Sequence, residues 1–175
     1  MHQIFIDESQ RGNTYILCAT VIADSEIPSV RPNLKSLVGS GHNRFHMSHE
    51  THSLRNRALE ILSSIDCQNF LYLSSRLPGD SSFGPRERCL KAALSHPINV
   101  KASHIWLERS STPYLDKRCI ERFIQISSKP FPYVAHQTPE SEPLLWIPDI
   151  LSWSYGRKGI WRAKASAILS EIIRI

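Results

Sequence analysis

The sequence has 175 residues, which is enough for one domain with a substantial hydrophobic core. Hydrophobic residues make up 41% of the chain and charged residues 21%, as in ordinary soluble globular proteins, and the longest apolar run, residues 15–23, is too short to cross a bilayer. The net charge of +5 and the pI near 9.2 favour an anionic partner. Because the longest apolar run cannot cross a bilayer, we expect no membrane partner.

Two further features predict a cytoplasmic protein. The first residues lack the basic start and apolar core of a secretion signal. The four cysteines are scattered, with no CxxC pair, so we expect free and mostly buried thiols. These cysteines are Cys18, Cys67, Cys89 and Cys119.

The chain opens with two predicted strands. Residues 3–6 are β-branched or aromatic apart from Gln3, and they end at the acidic pair Asp7-Glu8 and a turn over residues 10–13. Residues 15–23 form a nearly unbroken apolar run, which is typical of a strand buried on both faces. We expect the two strands to pair antiparallel across the turn.

A helical segment is predicted between the second and third strands. A short amphipathic stretch begins at Pro28. A longer helix runs from Ser48, a suitable N-cap, to about residue 65, with its apolar residues on one face.

Strands and helices then alternate. We predict strands over residues 69–77, 103–107 and 133–135, with helices beginning at Pro85 and Pro113. Glu108 directly follows the fourth strand.

Two helices are predicted at the end of the chain. In residues 143–155, Asp149 interrupts a stripe of leucine, isoleucine and tryptophan. Pro148 lacks a backbone donor, so this helix either starts near Pro148 or bends just ahead of Asp149. Residues 160–172 form the last predicted helix.

Without the helical insertion, this order of elements is that of the ribonuclease H fold. We therefore predict a single α/β domain over residues 1–175, with a mixed five-stranded sheet flanked by helices. In that fold the first and fourth strands are central neighbours and the late helix packs over their ends. Asp7, Glu108 and Asp149 would then converge as oxygen ligands for Mg²⁺ or Mn²⁺, which activate water for phosphodiester hydrolysis.

Three short motifs resemble landmarks of the "domain of unknown function 3800" family. Residues 4–9, Ile-Phe-Ile-Asp-Glu-Ser, are similar to its hydrophobic-Asp-Glu-Ser-Gly opening. Residues 45–48 resemble its internal His-x-Ser element, and residues 145–151 its late hydrophobic-Ala-Asp-hydrophobic helix. The three motifs span most of the chain in the family's order. The resemblance implies a ribonuclease H-like fold and a metal-dependent nuclease acting on DNA or RNA.

Two departures from that family pattern support a rival hypothesis. Gln10 stands in place of the usual glycine, and Pro148 in place of a common alanine. The rival is a catalytically inactive binding protein on the same scaffold, associated with phages, plasmids or defence systems.

Glu8 and His46 are secondary candidates for the catalytic site. Glu8 is either a further ligand or the partner of an arginine, and His46 is a candidate general acid or base near the carboxylates. A third hypothesis is a zinc site on a helical face that carries His42, His46, His49 and His52. Several basic residues are candidate phosphate contacts, namely Arg44, Arg55, Arg57, Arg86, Arg88, Lys101 and Arg109.

Overall fold

A mixed β-sheet of six strands forms the middle layer of the structure. The computed structural model describes residues 1–39, 41–127 and 130–175, with residues 99 and 100 described by their backbone alone. The strands are, in chain order, β1 (His2–Arg11), β2 (Thr14–Ala23), β3 (Gln68–Ser75), β4 (His104–Glu108), β5 (Tyr133–Gln137) and β6 (Glu171–Arg174). Their order across the sheet is β5-β4-β1-β2-β3-β6, so β1 lies near the centre.

Helices cover both faces of this sheet. They are α1 (Ile27–Lys35), α2 (His52–Ser63), α3 (Gly84–Ser95), α4 (Pro97–Val100), α5 (Pro113–Ile126), α6 (Trp146–Gly156) and α7 (Ile160–Ser166). Single 3₁₀ turns over Met47–His49 and Pro143–Leu145 precede α2 and α6. The predicted helical insertion is present as α1 and α2. Within the described residues, no helix has the length and apolar character needed to cross a membrane.

The α/β class and the mixed sheet are confirmed, but the predicted count of five strands is wrong. β1, β2 and β3 are antiparallel neighbours, while β4 pairs parallel with β1, β5 with β4 and β6 with β3. The predicted last helix ends early, and Glu171–Arg174 adds the sixth strand beside β3. Ile172 and Ile173 are β-branched, which favours a strand where a partner edge is available.

The first hairpin is longer than predicted. Gln10 pairs with Tyr15 and Arg11 with Thr14, so the strand continues well past Asp7. Gly12, with φ of 56°, takes the left-handed conformation in the turn. Gln10 therefore lies in regular strand geometry, where a glycine is not required.

One helix start differs from expectation and another agrees with it. Thr51, rather than Ser48, caps α2, because its hydroxyl accepts a hydrogen bond from the Leu54 N–H. Helix α6 begins two residues ahead of Pro148, which agrees with the first of the two predicted alternatives. Pro148 lies in the first turn, where a backbone N–H has no partner inside the helix, so the proline removes no helical hydrogen bond.

Side-chain alternation along β1 divides the core into two layers. Phe5 packs into the layer beneath α1, α2 and α6, whereas Ile4 and Ile6 pack into the layer beneath α3 and α5. We call these the α6 layer and the α3–α5 layer. By the same alternation, Asp7 points to the α6 layer and Glu8 to the α3–α5 layer. The cysteines form no disulfide, and three of the four are buried, as predicted.

Candidate active site

Asp7 and Glu108 are brought together by the parallel pairing of β1 and β4. Ile6 pairs with Leu107, so the next residue on each strand is Asp7 on one and Glu108 on the other. Trp106 packs against the α6 layer, and alternation turns Glu108 to the same layer. Their side chains lie within hydrogen-bonding reach of each other.

Helix α6 adds Asp149 to these two carboxylates. The helix packs across β1 and β2, and Asp149 lies in its first turn, buried against the sheet. One carboxylate oxygen, Oδ2, accepts a hydrogen bond from the Met47 N–H at 2.9 Å and lies 3.2 Å from His46 Nδ1. Three acids that are remote in sequence therefore meet on one face of the sheet, together with His46.

Asp7 carries the strongest electrostatic perturbation of the group. It is only 7% exposed. Burial, followed by the charges of neighbouring carboxylates, raises the pKa of Asp7 well above its usual range. Those neighbours are Glu8, Glu108 and Asp149. The site thus holds more negative charge than its surroundings neutralise.

The negative charge of Glu108 is partly neutralised by one cation, Arg44. Burial raises the pKa of its carboxyl, the nearby Arg44 opposes that rise, and Asp149 adds to it. Arg44 Nη2 lies 3.2 Å from Glu108 Oε1, and Arg44 Nη1 lies 3.3 Å from Glu140 Oε1. The guanidinium is therefore shared between two carboxylates and neutralises neither alone.

His46 lies at the rim of this group, half-buried. Its hydrogen bond with Asp149 raises the pKa of His46. The other ring nitrogen, Nε2, lies 3.4 Å from Ser48 Oγ. The protonated imidazole is thus favoured next to the carboxylates, which suits proton donation.

The structure does not bring Glu8 to the same face. Glu8 forms an ion pair with Arg86 in the α3–α5 layer. Arg86, a candidate phosphate contact in the sequence, is only 6% exposed and also binds Asp116 and Tyr15. Glu8 adds charge near Asp7 while binding its own cation on the other side of the sheet.

The histidines do not share a helical face. His46 is extended, His49 lies in a 3₁₀ turn and His52 begins α2. The rings of His46 and His49 are 4.7 Å apart, while His52 packs edge-on against Trp161. The helical geometry expected for zinc is therefore absent.

A cavity of about 560 Å³ adjoins Arg44 and His46, which contact Glu108 and Asp149; the three carboxylates themselves do not line it. Arg44 and His46 line it on the side of the site, and His42 and His49 add further polar groups. Leu37 and Leu54 contribute apolar wall. A substrate group next to the carboxylates would have room in this cavity.

The donor set fits a hard divalent cation, since carboxylate oxygens are the ligands that Mg²⁺ and Mn²⁺ prefer. Over residues 1–39, 41–127 and 130–175, however, no group of three or more histidine, cysteine, aspartate or glutamate side chains is already arranged to hold an ion. Asp149 is turned toward Met47 and His46, and Glu108 toward Arg44. Binding an ion would require these side chains to exchange partners.

Among the basic residues predicted to contact phosphate, several have internal partners. Arg55 donates to the carbonyls of Met47 and Ser48, and Arg88 binds Asp80 with two nitrogens. The sequence reasoning missed Arg11, which lies on the same face of β1 as Asp7. The period-two alternation over positions 7, 9 and 11 is the signal that would have identified it.

No family model matches the sequence, and no curated protein matches it.

Proposed function

We propose that the chain is a divalent-metal-dependent nuclease of ribonuclease H-like fold, similar to the "domain of unknown function 3800" proteins. Asp7, Glu108 and Asp149 would hold Mg²⁺ or Mn²⁺, and the substrate would be a phosphodiester of DNA or RNA. The observation that carries the proposal is the meeting of three buried or half-buried carboxylates around Asp7, where burial, followed by the neighbouring negative charges, raises the pKa of that side chain. Perturbed carboxyls in such clusters are typical of functional sites.

The topology supports the same proposal. β1 and β4 are central neighbours, α6 packs over β1, and each of these elements supplies one carboxylate. This is the arrangement predicted for the ribonuclease H fold. The sixth strand lies at the edge beside β3, away from the β1–β4 pair.

The chain's own residues suit the parts of a hydrolytic reaction. A bound divalent ion would activate water and stabilise the leaving oxygen. His46 is placed to give a proton to that oxygen, because Asp149 favours its charged form. Arg44, which now spans Glu108 and Glu140, is placed to contact a substrate phosphate in the adjoining cavity. We assign Glu8 a positioning role on β1, through its ion pair with Arg86.

The experiment is cleavage of labelled DNA and RNA with Mg²⁺ or Mn²⁺. We expect wild type to cleave and Asp7→Asn to lose about a hundredfold or more of the rate, within the range of single groups that stabilise a transition state. Asp66→Asn is the matched control, because it makes the same chemical change at an exposed position away from the site. Equal rates for wild type and Asp7→Asn would remove Asp7 from the mechanism.

One observation favours the rival, an inactive binding protein. Asp149 and Glu108 already have hydrogen-bond partners in the Met47 N–H, His46 and Arg44. If those contacts are permanent, Asp149 Oδ2 and Glu108 Oε1 are not available to an ion. Calorimetric titration that detects neither Mg²⁺ nor Mn²⁺ binding would favour this rival.

A further inference from the structure

Arg11 is the last residue of β1, on the face that carries Asp7. Its side chain packs against the end of α6 at Gly156. A Cβ atom on residue 156 would lie only 2.8 Å from Arg11 Cγ, so the glycine leaves the space that the arginine occupies. Arg11 Nη1 donates to the Gln10 carbonyl at 3.0 Å. Its Nε is buried and has no hydrogen-bond partner among the described residues. A buried donor without a partner is costly, and an arriving acceptor would remove that cost.

A second group of arginines lies at the same end of α6. Arg157 follows the helix, and its guanidinium lies 4.7 Å from the centre of the Trp153 ring. Arg55 lies over the same indole at 4.5 Å. Stacking on an aromatic ring holds a guanidinium plane in place. Arg55 already donates to the Met47 and Ser48 carbonyls, so Arg157 is the member of this group considered for a ligand.

These cations lack acidic partners. Over the described ranges, Arg11, Arg55 and Arg157 form no ion pair with any carboxylate within 4.0 Å. Burial, followed by the charge of Arg157, lowers the pKa of Arg11, while Asp149 opposes that change. Arg11 is thus within electrostatic range of both Arg157 and Asp149.

We propose that Arg11 and Arg157 form a binding site for a phosphate of the nucleic-acid backbone, next to the phosphate at the carboxylates. Guanidinium groups match the paired oxygens of phosphate, and an anion between two like charges removes their repulsion. The buried Arg11 Nε supplies a donor that the protein leaves unused. The identity of the ligand rests on the proposed function; the presence of an anion site does not.

The competing explanation is purely structural. Cations near a helix C-terminus stabilise the helix dipole, and both arginines lie at the end of α6. That explanation predicts a lower melting temperature on removal of the arginines and no change in nucleic-acid affinity. The two accounts therefore differ in a binding measurement.

The experiment measures binding of fluorescein-labelled single-stranded DNA and RNA by fluorescence anisotropy, in EDTA and over a series of NaCl concentrations. The test variant is the double substitution Arg11→Gln with Arg157→Gln. The control is the double substitution Arg118→Gln with Arg122→Gln, which removes the same charge from exposed positions on α5. Melting temperatures are recorded for every variant.

We expect the test variant to bind about tenfold or more weakly than wild type. The slope of log K against log salt should fall by about 0.7, since the two arginines contact one phosphate and each phosphate contact to a single strand contributes about 0.7. The control should retain the wild-type affinity within about twofold. An unchanged affinity in the test variant, an equal loss in the control, or no binding by wild type would each overturn the site.

The nuclease proposal and the phosphate site can fail separately. Absence of cleavage, combined with binding that depends on the two arginines, would reject the nuclease and retain the anion site. Cleavage that depends on Asp7, combined with an affinity that is unchanged in the double arginine variant, would retain the nuclease and reject the anion site.

Discussion

Asp7 and Asp116 are both buried carboxyl groups, on opposite sides of the same sheet, and their surroundings differ in charge balance. Asp116 is fully buried and accepts hydrogen bonds from Arg86 Nε at 2.6 Å and Nη2 at 2.8 Å, with His136 at 3.1 Å. Burial acts to raise its pKa, but the bonds from His136 and Arg86 lower it below the usual range. Asp7 instead faces other carboxylates, and burial, followed by the charges of those carboxylates, raises its pKa.

The difference separates a structural acid from a candidate functional one. Around Asp116, the charges of Arg86, Glu8 and Asp116 are paired with one another, so this network is complete without a ligand. On the Asp7 side, the negative charges exceed the cations supplied by Arg44 and His46. A folded chain that keeps such an imbalance is expected to use it for binding.

The largest expected effect on stability comes from removing Arg86 from the charge network around Asp116. Arg86→Ala would leave Asp116 and Glu8 without their shared cation in a buried setting. We expect a loss of about 3 to 5 kcal/mol in the free energy of unfolding, measured by urea denaturation. Arg118→Ala, on an exposed turn of α5, is the control and should change stability by less than about 0.5 kcal/mol. A similar small change for Arg86→Ala would show that the network is not essential.

The unbalanced side should respond in the opposite direction. The folded-state pKa of Asp7 is raised, so its contribution to stability is fully present below the ordinary aspartate pKa of about 3.9 and is lost as pH rises through the folded-state value. Asp7→Asn in EDTA should therefore stabilise the protein at neutral pH, by roughly 0.5 to 2 kcal/mol.

Urea denaturation at several pH values tests this prediction. The gain from Asp7→Asn should shrink as the pH is lowered, while Asp66→Asn should show no such gain. A destabilised Asp7→Asn variant at neutral pH would contradict the charge imbalance.

The smallest expected effect on stability comes from the partly exposed ion pair of Asp80 with Arg88. The hydrogen bonds from Arg88, followed by the Leu77 N–H, lower the pKa of Asp80 to about 2. Its contribution to stability is present above the ordinary aspartate pKa and is lost as the pH falls toward the folded-state value. Asp80→Asn should lower the melting temperature slightly at neutral pH, and the difference from wild type should narrow in acid. A constant difference across pH would exclude titration of Asp80 as its cause.

The sequence predicts one side of this comparison better than the other. Asp7, Glu108 and Asp149 follow or interrupt apolar patterns, so their convergence could be expected once the strand order was inferred. Asp116 could not be identified in this way, because an acid in the first turn of a helix usually favours the helix dipole and lies in solvent. Its burial depends on Arg86, which reaches it from a different helix.

Long-range pairing also explains the missed strand. Residues 160–172 carry apolar side chains at helical spacing, and only the free edge of β3 makes Glu171–Arg174 a strand. The sequence also did not predict that β1 continues past Asp7, for a similar reason. Pairing with β2 continues to Arg11, so the strand passes through polar residues that resemble a turn in the sequence alone.

The most direct measurement is calorimetric titration of Mn²⁺ into wild type, Asp7→Asn and Asp66→Asn in metal-free buffer. The charge imbalance predicts saturable binding by wild type and Asp66→Asn, and an affinity at least about tenfold weaker for Asp7→Asn, a loss of about 1.4 kcal/mol. Absence of binding by wild type, or equal affinity in all three proteins, would contradict the account.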